Sequence, residues 1–155
     1  DYALETHVRM RGLKPEDVII EVAPRQGEIT LRSDDILNAI REAGQSLALV
    51  MFAGVQYYTG QVFDMKSITY AAHQVGAYAC FDLAHAAGNI PLKLHDWKVD
   101  AAAWCSYKYL NSSPGGVAGM FIHERHALNK DLPRLAGWWG NEEEERFQMK
   151  KGFRP

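Results

Sequence analysis

The stretch LALVMF at residues 47–52 decides the fold, because it is a continuous apolar run lying between turn signals and is too short for a helix. Runs of this kind are typical of strands that are buried on both faces in a parallel sheet. Similar runs occur at residues 77–81, which finish at Asp82, and at residues 101–106, which lead into Tyr107 and Lys108. The sequence therefore predicts an α/β chain with a mostly parallel sheet.

Helical patterns and capping signals separate these strands. A helix is expected after Ser33, which we interpret as its N-cap, and its apolar positions recur at helical spacing until Gly44 ends it. Asp64 is expected to cap the next helix, which connects the first two strands as a βαβ unit. That second helix is predicted at residues 65–75, and the remaining predicted elements are a helix at 3–10, a short strand at 18–22 and a strand at 117–122.

Composition excludes several functional classes. The 155 residues carry 17 basic and 19 acidic side chains, a net charge of −2, without the basic stripe that nucleic acids or anionic membranes require. The apolar runs are far shorter than the roughly 20 residues that span a bilayer. Cys80 and Cys105 form no CxxC motif, which favours a reducing, cytoplasmic setting. Since the chain begins at Asp1 without a leader and stops without a capped ending, we expect an internal piece of a longer protein.

An acid and an amine follow two neighbouring predicted strands. Asp82 and Lys108 are 26 residues apart, a spacing suited to a crossover that brings both strand ends to one sheet edge. Pyridoxal phosphate needs a lysine for its aldehyde and a carboxylate for its ring nitrogen, so this pair fits that cofactor. Taken singly, such a lysine is more often a solvated side chain, and such an aspartate more often forms a turn.

The surrounding motifs are more specific than this pair. They read FDLAHAAGN at residues 81–89, WCSYKYLN at 104–111 and PGGVAG at 114–119, with YTGQ at 58–61, LHDW at 94–97, FIHE at 121–124 and GWWG at 137–140. Together they resemble the kynureninases, a family of fold-type I pyridoxal phosphate enzymes in the class V aminotransferase group. The resemblance covers nearly the whole chain. It implies that residues 1–155 are the central part of a large cofactor-binding domain, a three-layer sandwich, without its N-terminal segment and C-terminal small domain.

The resemblance also implies roles for individual residues. Lys108 would hold pyridoxal phosphate as a Schiff base and then move protons, and Asp82 would pair with the ring nitrogen. His85 would lie beside the cofactor and support that pair. Tyr107 matches a tyrosine near the phosphate that is suited to proton transfer at the substrate carbonyl. Trp138 matches a tryptophan whose indole N–H donates to the phosphate.

One position departs from the family's pattern. Ala53 stands where some members have a serine near the cofactor, so it packs there without a side-chain hydrogen bond. Trp139 and Asn141 lie where the family varies around the aromatic end of the substrate, which leaves the preference for a ring hydroxyl open.

The implied activity is hydrolysis of L-kynurenine or 3-hydroxykynurenine to anthranilate or 3-hydroxyanthranilate and L-alanine, a step of tryptophan catabolism that leads to NAD biosynthesis. The implied assembly is a homodimer with a shared active site, and neither nucleic acid nor membrane is an expected partner.

Other functions remain open at this point. A sister class V enzyme, such as a cysteine desulfurase or an aminotransferase, would use the same acid and amine, although no mobile-loop cysteine is evident in the sequence. A catalytically silent fragment is the second alternative, and a nucleotide-binding domain is disfavoured because the glycine-rich turn is missing. His123 and His126 have a spacing that suits a metal, but without acidic or cysteine partners no metal is predicted.

Overall fold

A four-stranded sheet forms the centre of the computed structural model, which describes residues 2–127, 129, 131–133, 135 and 137–154. The order of the strands is β1-β2-β3-β4. β1 pairs with β2 and β2 with β3 in parallel, whereas β4 is antiparallel to β3. The prediction of an α/β chain with a mostly parallel sheet is therefore confirmed. The strands are β1 (Leu49–Ala53), β2 (Tyr78–Asp82), β3 (Ala101–Trp104) and β4 (Gly119–Ile122).

Five helices accompany the sheet in the described part of the chain. Asp64 caps α4 as predicted, because its Oδ1 accepts from the Ser67 N–H at 3.1 Å. The helix predicted after Ser33 begins at Ser33 itself, and Arg32 takes the cap position without a side-chain bond. The helices are α1 (Tyr2–Met10), α2 (Pro15–Val18), α3 (Ser33–Ala43), α4 (Met65–Gln74) and α5 (Glu124–Ala127), with 3₁₀ turns at Gly44–Ser46 and Trp138–Gly140.

The core lies between the sheet and the pair of helices α3 and α4. Helix α4 packs on β2 and on α3, and Phe81 and Leu83 are fully buried. Gly54, directly after β1, permits this close packing, since a Cβ there would lie 2.8 Å from Leu83 Cδ2 and 3.0 Å from Ala86 Cβ. The ends of β1 and β2 are thus fixed against one another.

Besides the N-cap expected at Ser33, two sequence-based expectations are wrong. Residues 18–22 do not form a strand: Pro15 starts the short helix α2, which ends at Val18, and the backbone beyond it is extended without pairing to a strand. β1 is not buried on both faces, because Leu49 and Met51 are 44% and 41% exposed. β1 is the edge strand of the described sheet, so only β2 flanks it. None of the described helices has the length and apolar character needed to cross a membrane.

Candidate active site

The parallel strands end together at one edge of the sheet. Ala53, the last residue of β1, is in register with Asp82, the last residue of β2, and Asp82 is in register with Ala103 of β3. Backbone bonds continue past the strands, since Gly54 N–H donates to the Asp82 carbonyl at 2.9 Å and Leu83 N–H to the Ala103 carbonyl at 2.8 Å. Asp82 and the segment that follows β3 therefore lie at the same edge, as the 26-residue spacing predicts.

Asp82 begins a tight turn that leads to His85. Its Oδ1 accepts from the Ala84 N–H at 2.8 Å, an aspartate turn that fixes the carboxylate at the strand end. Asp82 is exposed, and within the described residues no hydrogen bond occupies Oδ2. One carboxylate oxygen therefore holds the turn while the other is open to a ligand.

Lys108 lies in the segment after β3 and reaches this turn. Its Nζ is 3.0 Å from His85 Nε2, and both side chains are half-buried. The structure thus joins Lys108 to His85, which is three residues beyond Asp82.

Further contacts join the segment that follows Asp82 to the segment that carries Lys108. The Cys105 thiol lies 3.9 Å from the Ala84 carbonyl oxygen. Gly88 has a φ of +78°, and a Cβ there would be 2.9 Å from Leu110 Cδ2 and 3.1 Å from the carbonyl group of Tyr109. The close approach of these backbones requires glycine at this position.

Aromatic rings surround the imidazole of His85. The rings of Tyr57 and Tyr109 lie 6.5 Å and 6.2 Å from it, and Lys108 Nζ is 5.9 Å from the centre of the Tyr107 ring. Neither Tyr57 nor Tyr109 has a role predicted from the sequence. Their positions gave the only indication: Tyr57 directly precedes the motif at residues 58–61, and Tyr109 lies within the motif at 104–111.

The structure does not join Trp138 to this group. Its indole N–H donates to the Arg146 carbonyl at 2.8 Å, and its ring packs edge-on against Trp139 and Phe147. Trp138 thus lies in a small cluster of the C-terminal segment, so a bond from its N–H to a cofactor phosphate stays a prediction.

The chemistry of the site residues fits pyridoxal phosphate. An amine is available for the aldehyde, the open oxygen of Asp82 is available for the protonated ring nitrogen, and His85 lies between the two segments.

A second cluster of titratable groups lies at the opposite ends of the strands. Asp100 directly precedes β3, and its side chain is only 5% exposed. The carboxylate accepts from the Ala79 N–H at 2.8 Å, lies 2.8 Å from His73 Nε2 and 2.6 Å from His126 Nε2, and pairs with the Arg125 guanidinium. Burial alone would raise the pKa of Asp100, but these bonds outweigh it and hold the pKa far below its ordinary value.

This second cluster is not predictable from the sequence, because nothing in the spacing of these residues indicates that they meet. From the sequence, His126 is only a weak candidate for a metal ligand together with His123. In the structure the Nε2 of His126 contacts the Asp100 carboxylate instead, and the Nδ1 of His123 accepts a hydrogen bond from the Arg125 N–H at 3.2 Å.

Comparisons with known proteins identify the family of the chain. Residues 8–140 match the family described as Aminotransferase class-V. A kynureninase of Nematostella vectensis is 59% identical over 152 residues, which cover 98% of this chain and 33% of that protein. Kynureninases of Flavobacterium psychrophilum and Dictyostelium discoideum are 58% and 52% identical over 99% and 98% of the chain and over 36% and 34% of their own lengths. The chain thus spans about a third of the length of these relatives.

Solved structures show the same fold. A ureidoglycine-glyoxylate aminotransferase from Bacillus subtilis matches with a TM-score of 0.55 and 28% identity, over 63% of this chain and 24% of that one. A cysteine desulfurase from Thermococcus onnurineus matches with a TM-score of 0.63 and 21% identity, over 79% of this chain and 28% of that one. The family match covers most of the chain and the fold agrees with it, so the chain belongs to the class-V aminotransferase family.

Proposed function

We propose that the protein containing this chain is a pyridoxal phosphate-dependent kynureninase, which hydrolyses L-kynurenine or its 3-hydroxy form to an anthranilate and L-alanine. One observation carries the proposal: Lys108 Nζ lies 3.0 Å from His85 Nε2, three residues beyond Asp82, in a chain 59% identical to a kynureninase of Nematostella vectensis. Residues 1–155 would form the central part of the large cofactor-binding domain.

The chain's own residues would divide the proton transfers among them. When bound, pyridoxal phosphate supplies a protonated ring that draws electrons from the α carbon of the amino-acid substrate. Asp82 would keep the proton on the ring nitrogen through its open oxygen, since a nearby carboxylate favours that positive charge. Lys108 would hold the cofactor through its amine until the amine of the substrate displaces it, and the freed lysine would then remove and return the proton at the substrate's α carbon.

His85 and Tyr107 would assist at two other atoms. His85 exchanges a hydrogen bond with Lys108 Nζ, so it orients the amine and takes up its proton when the amine must act as a base. Tyr107, whose ring is near the same amine, would hand a proton to and from the γ-carbonyl oxygen while water adds to that carbon. Ala53 would pack beside the cofactor, and Trp138 would donate its N–H to the phosphate.

We also propose an oligomeric state and a cellular compartment for the protein. The family resemblance supports a homodimer with a shared active site. The two free cysteines of the chain, Cys80 and Cys105, support a reducing compartment such as the cytoplasm.

Trapping of the cofactor tests the role of Lys108. The protein containing this chain is loaded with pyridoxal phosphate, reduced with borohydride and analysed by mass spectrometry. Lys108→Ala should abolish covalent retention of the cofactor, whereas the exposed control Lys93→Ala should retain it in full. Retention by Lys108→Ala would contradict the assignment.

Turnover tests the role of Tyr107 and the substrate class. Tyr107→Phe should keep the cofactor but lower kcat for kynurenine about 100-fold or more, the usual loss for a missing acid–base group. Tyr70→Phe, on an exposed position of α4, is the matched control. If the parent protein instead released sulfur from cysteine or transferred an amino group, a sister class V activity would replace the proposal.

A further inference from the structure

The segment that carries Lys108 has no helix or strand to hold it. It runs from Cys105, after β3, to the start of β4, and is built of bends and turns. Asn111 and Ser113 adopt φ values of +58° and +65°, in the left-handed region that ordinary residues avoid. Backbone of this kind persists only where surrounding contacts fix it.

Two serines close this segment into a loop. Ser112 Oγ lies 2.6 Å from Ser106 Oγ, and the Ser112 N–H donates to the Ser106 carbonyl at 3.1 Å. Inside the loop, the Asn111 N–H donates to the Lys108 carbonyl at 3.1 Å. We name the pair Ser106 and Ser112 the serine clamp, because its two bonds tie together the ends of the stretch that contains Tyr107 and Lys108.

Gly116 covers the serine clamp from outside. A Cβ at this position would lie 2.1 Å from Ser112 Oγ and 2.8 Å from Ser106 Oγ, so only a glycine backbone fits there. The loop is therefore secured by both hydrogen bonding and close packing.

We propose that Ser106 and Ser112 are positioning residues for Lys108, a role that rests on the proposed function. The backbone of Lys108 lies inside the closed loop, and its amine must reach His85 Nε2 at 3.0 Å. With the clamp open, the backbone samples more conformations and the amine spends less time at that distance. The clamp thus prepares the amine for the aldehyde of pyridoxal phosphate.

The kinetics of cofactor attachment test this role. Cofactor-free protein that contains this chain is mixed with pyridoxal phosphate, and the rate constant for covalent attachment is followed by absorbance. Ser112→Ala should lower this rate constant about fivefold, the effect of one lost neutral hydrogen bond, and should move the pH midpoint of the bound cofactor's absorbance. Ser112→Thr keeps the hydroxyl and should restore both values to within about twofold of the parent protein.

Two comparisons separate positioning from a general loss of stability. Ser46→Ala also removes a hydroxyl, which donates to the Ala43 carbonyl at 2.7 Å far from the loop, and it should change neither the attachment rate nor the pH midpoint. Ser106→Ala removes the same bond as Ser112→Ala from the other side. The double variant should therefore be no slower than either single variant.

The proposal is overturned if both single variants attach the cofactor at the parental rate with the parental pH midpoint, or if their effects multiply in the double variant. If Ser112→Ala does not fold, Ser106→Ala alone decides, and the proposal is overturned if this variant attaches the cofactor at the parental rate with the parental pH midpoint. Attachment to Lys108→Ala would instead show that the amine itself is wrongly assigned, which is a failure of the proposed function and not of the clamp.

Discussion

Replacing Asp100 with asparagine removes the charge at the centre of the second cluster while keeping the size of the side chain. Removing one partner of a buried ion pair lowers the free energy of unfolding by about 3–5 kcal/mol, because the other charged group is left buried without an opposite charge. The partners Arg125, His73 and His126 are 33%, 26% and 17% exposed, so water replaces part of their pairing. We therefore expect Asp100→Asn to lower the free energy of unfolding by about 3 kcal/mol, the low end of that range.

Urea denaturation followed by tryptophan fluorescence and circular dichroism measures this loss. With an m-value of about 2 kcal/mol/M, the urea midpoint should fall by about 1.5 M. Asp96→Asn is the control, because this carboxylate is 72% exposed and lies 3.8 Å from His95, and it should change the midpoint little. Equal midpoints for the two variants would refute the account of the Asp100 cluster.

The pH dependence of the unfolding free energy tests the same ion pair independently. The pKa of Asp100 is lowered in the folded chain, so its stabilisation is present above the ordinary carboxyl pKa of about 3.9 and is lost as the pH falls toward the lowered value. The difference between the parent chain and Asp100→Asn should therefore shrink as the pH falls below about 4. A difference that does not shrink in this range would contradict the assignment.

Two further predictions concern β4 and an exposed ion pair. Gly119→Ala should lower the free energy of unfolding by about 1–3 kcal/mol and shift the tryptophan emission, because the new Cβ would lie 2.5 Å from Trp104 Cε2. A urea midpoint and an emission spectrum equal to those of the parent chain would contradict this prediction. Glu124 raises the pKa of His95, with Nε2 and Oε1 3.1 Å apart, so the pair stabilises the fold at low pH and loses this effect as the pH rises through the raised pKa. Glu124→Gln should lower the His95 titration midpoint measured by NMR, and an unchanged midpoint would show that the pair does not form in solution.

Local patterns account for what the sequence predicted correctly. Apolar runs, the Asp64 cap and the Gly44 stop depend on neighbours a few residues away, and the structure confirms them. The sequence also predicted that Asp82 and Lys108 follow neighbouring strands, since the carboxyl ends of parallel strands meet at one edge. The prediction of a strand at residues 18–22 was wrong because a strand needs a pairing partner, and a local run of apolar residues does not supply one.

The sequence by itself determined the α/β class, the strand ends and the residue types of the candidate site. Only the tertiary structure decided that Lys108 meets His85, that Ser112 closes the loop on Ser106 and that Asp100 gathers Arg125 and two histidines from two helices. The physical reason for the Lys108 and Asp100 contacts is range: helix caps and strand periodicity arise from bonds and packing between near neighbours, whereas these contacts join residues 23 to 27 positions apart that the packing of the whole sheet brings together. Ser106 and Ser112 are only six residues apart, but they lie in a segment without helix or strand, so no periodic pattern predicts their bond.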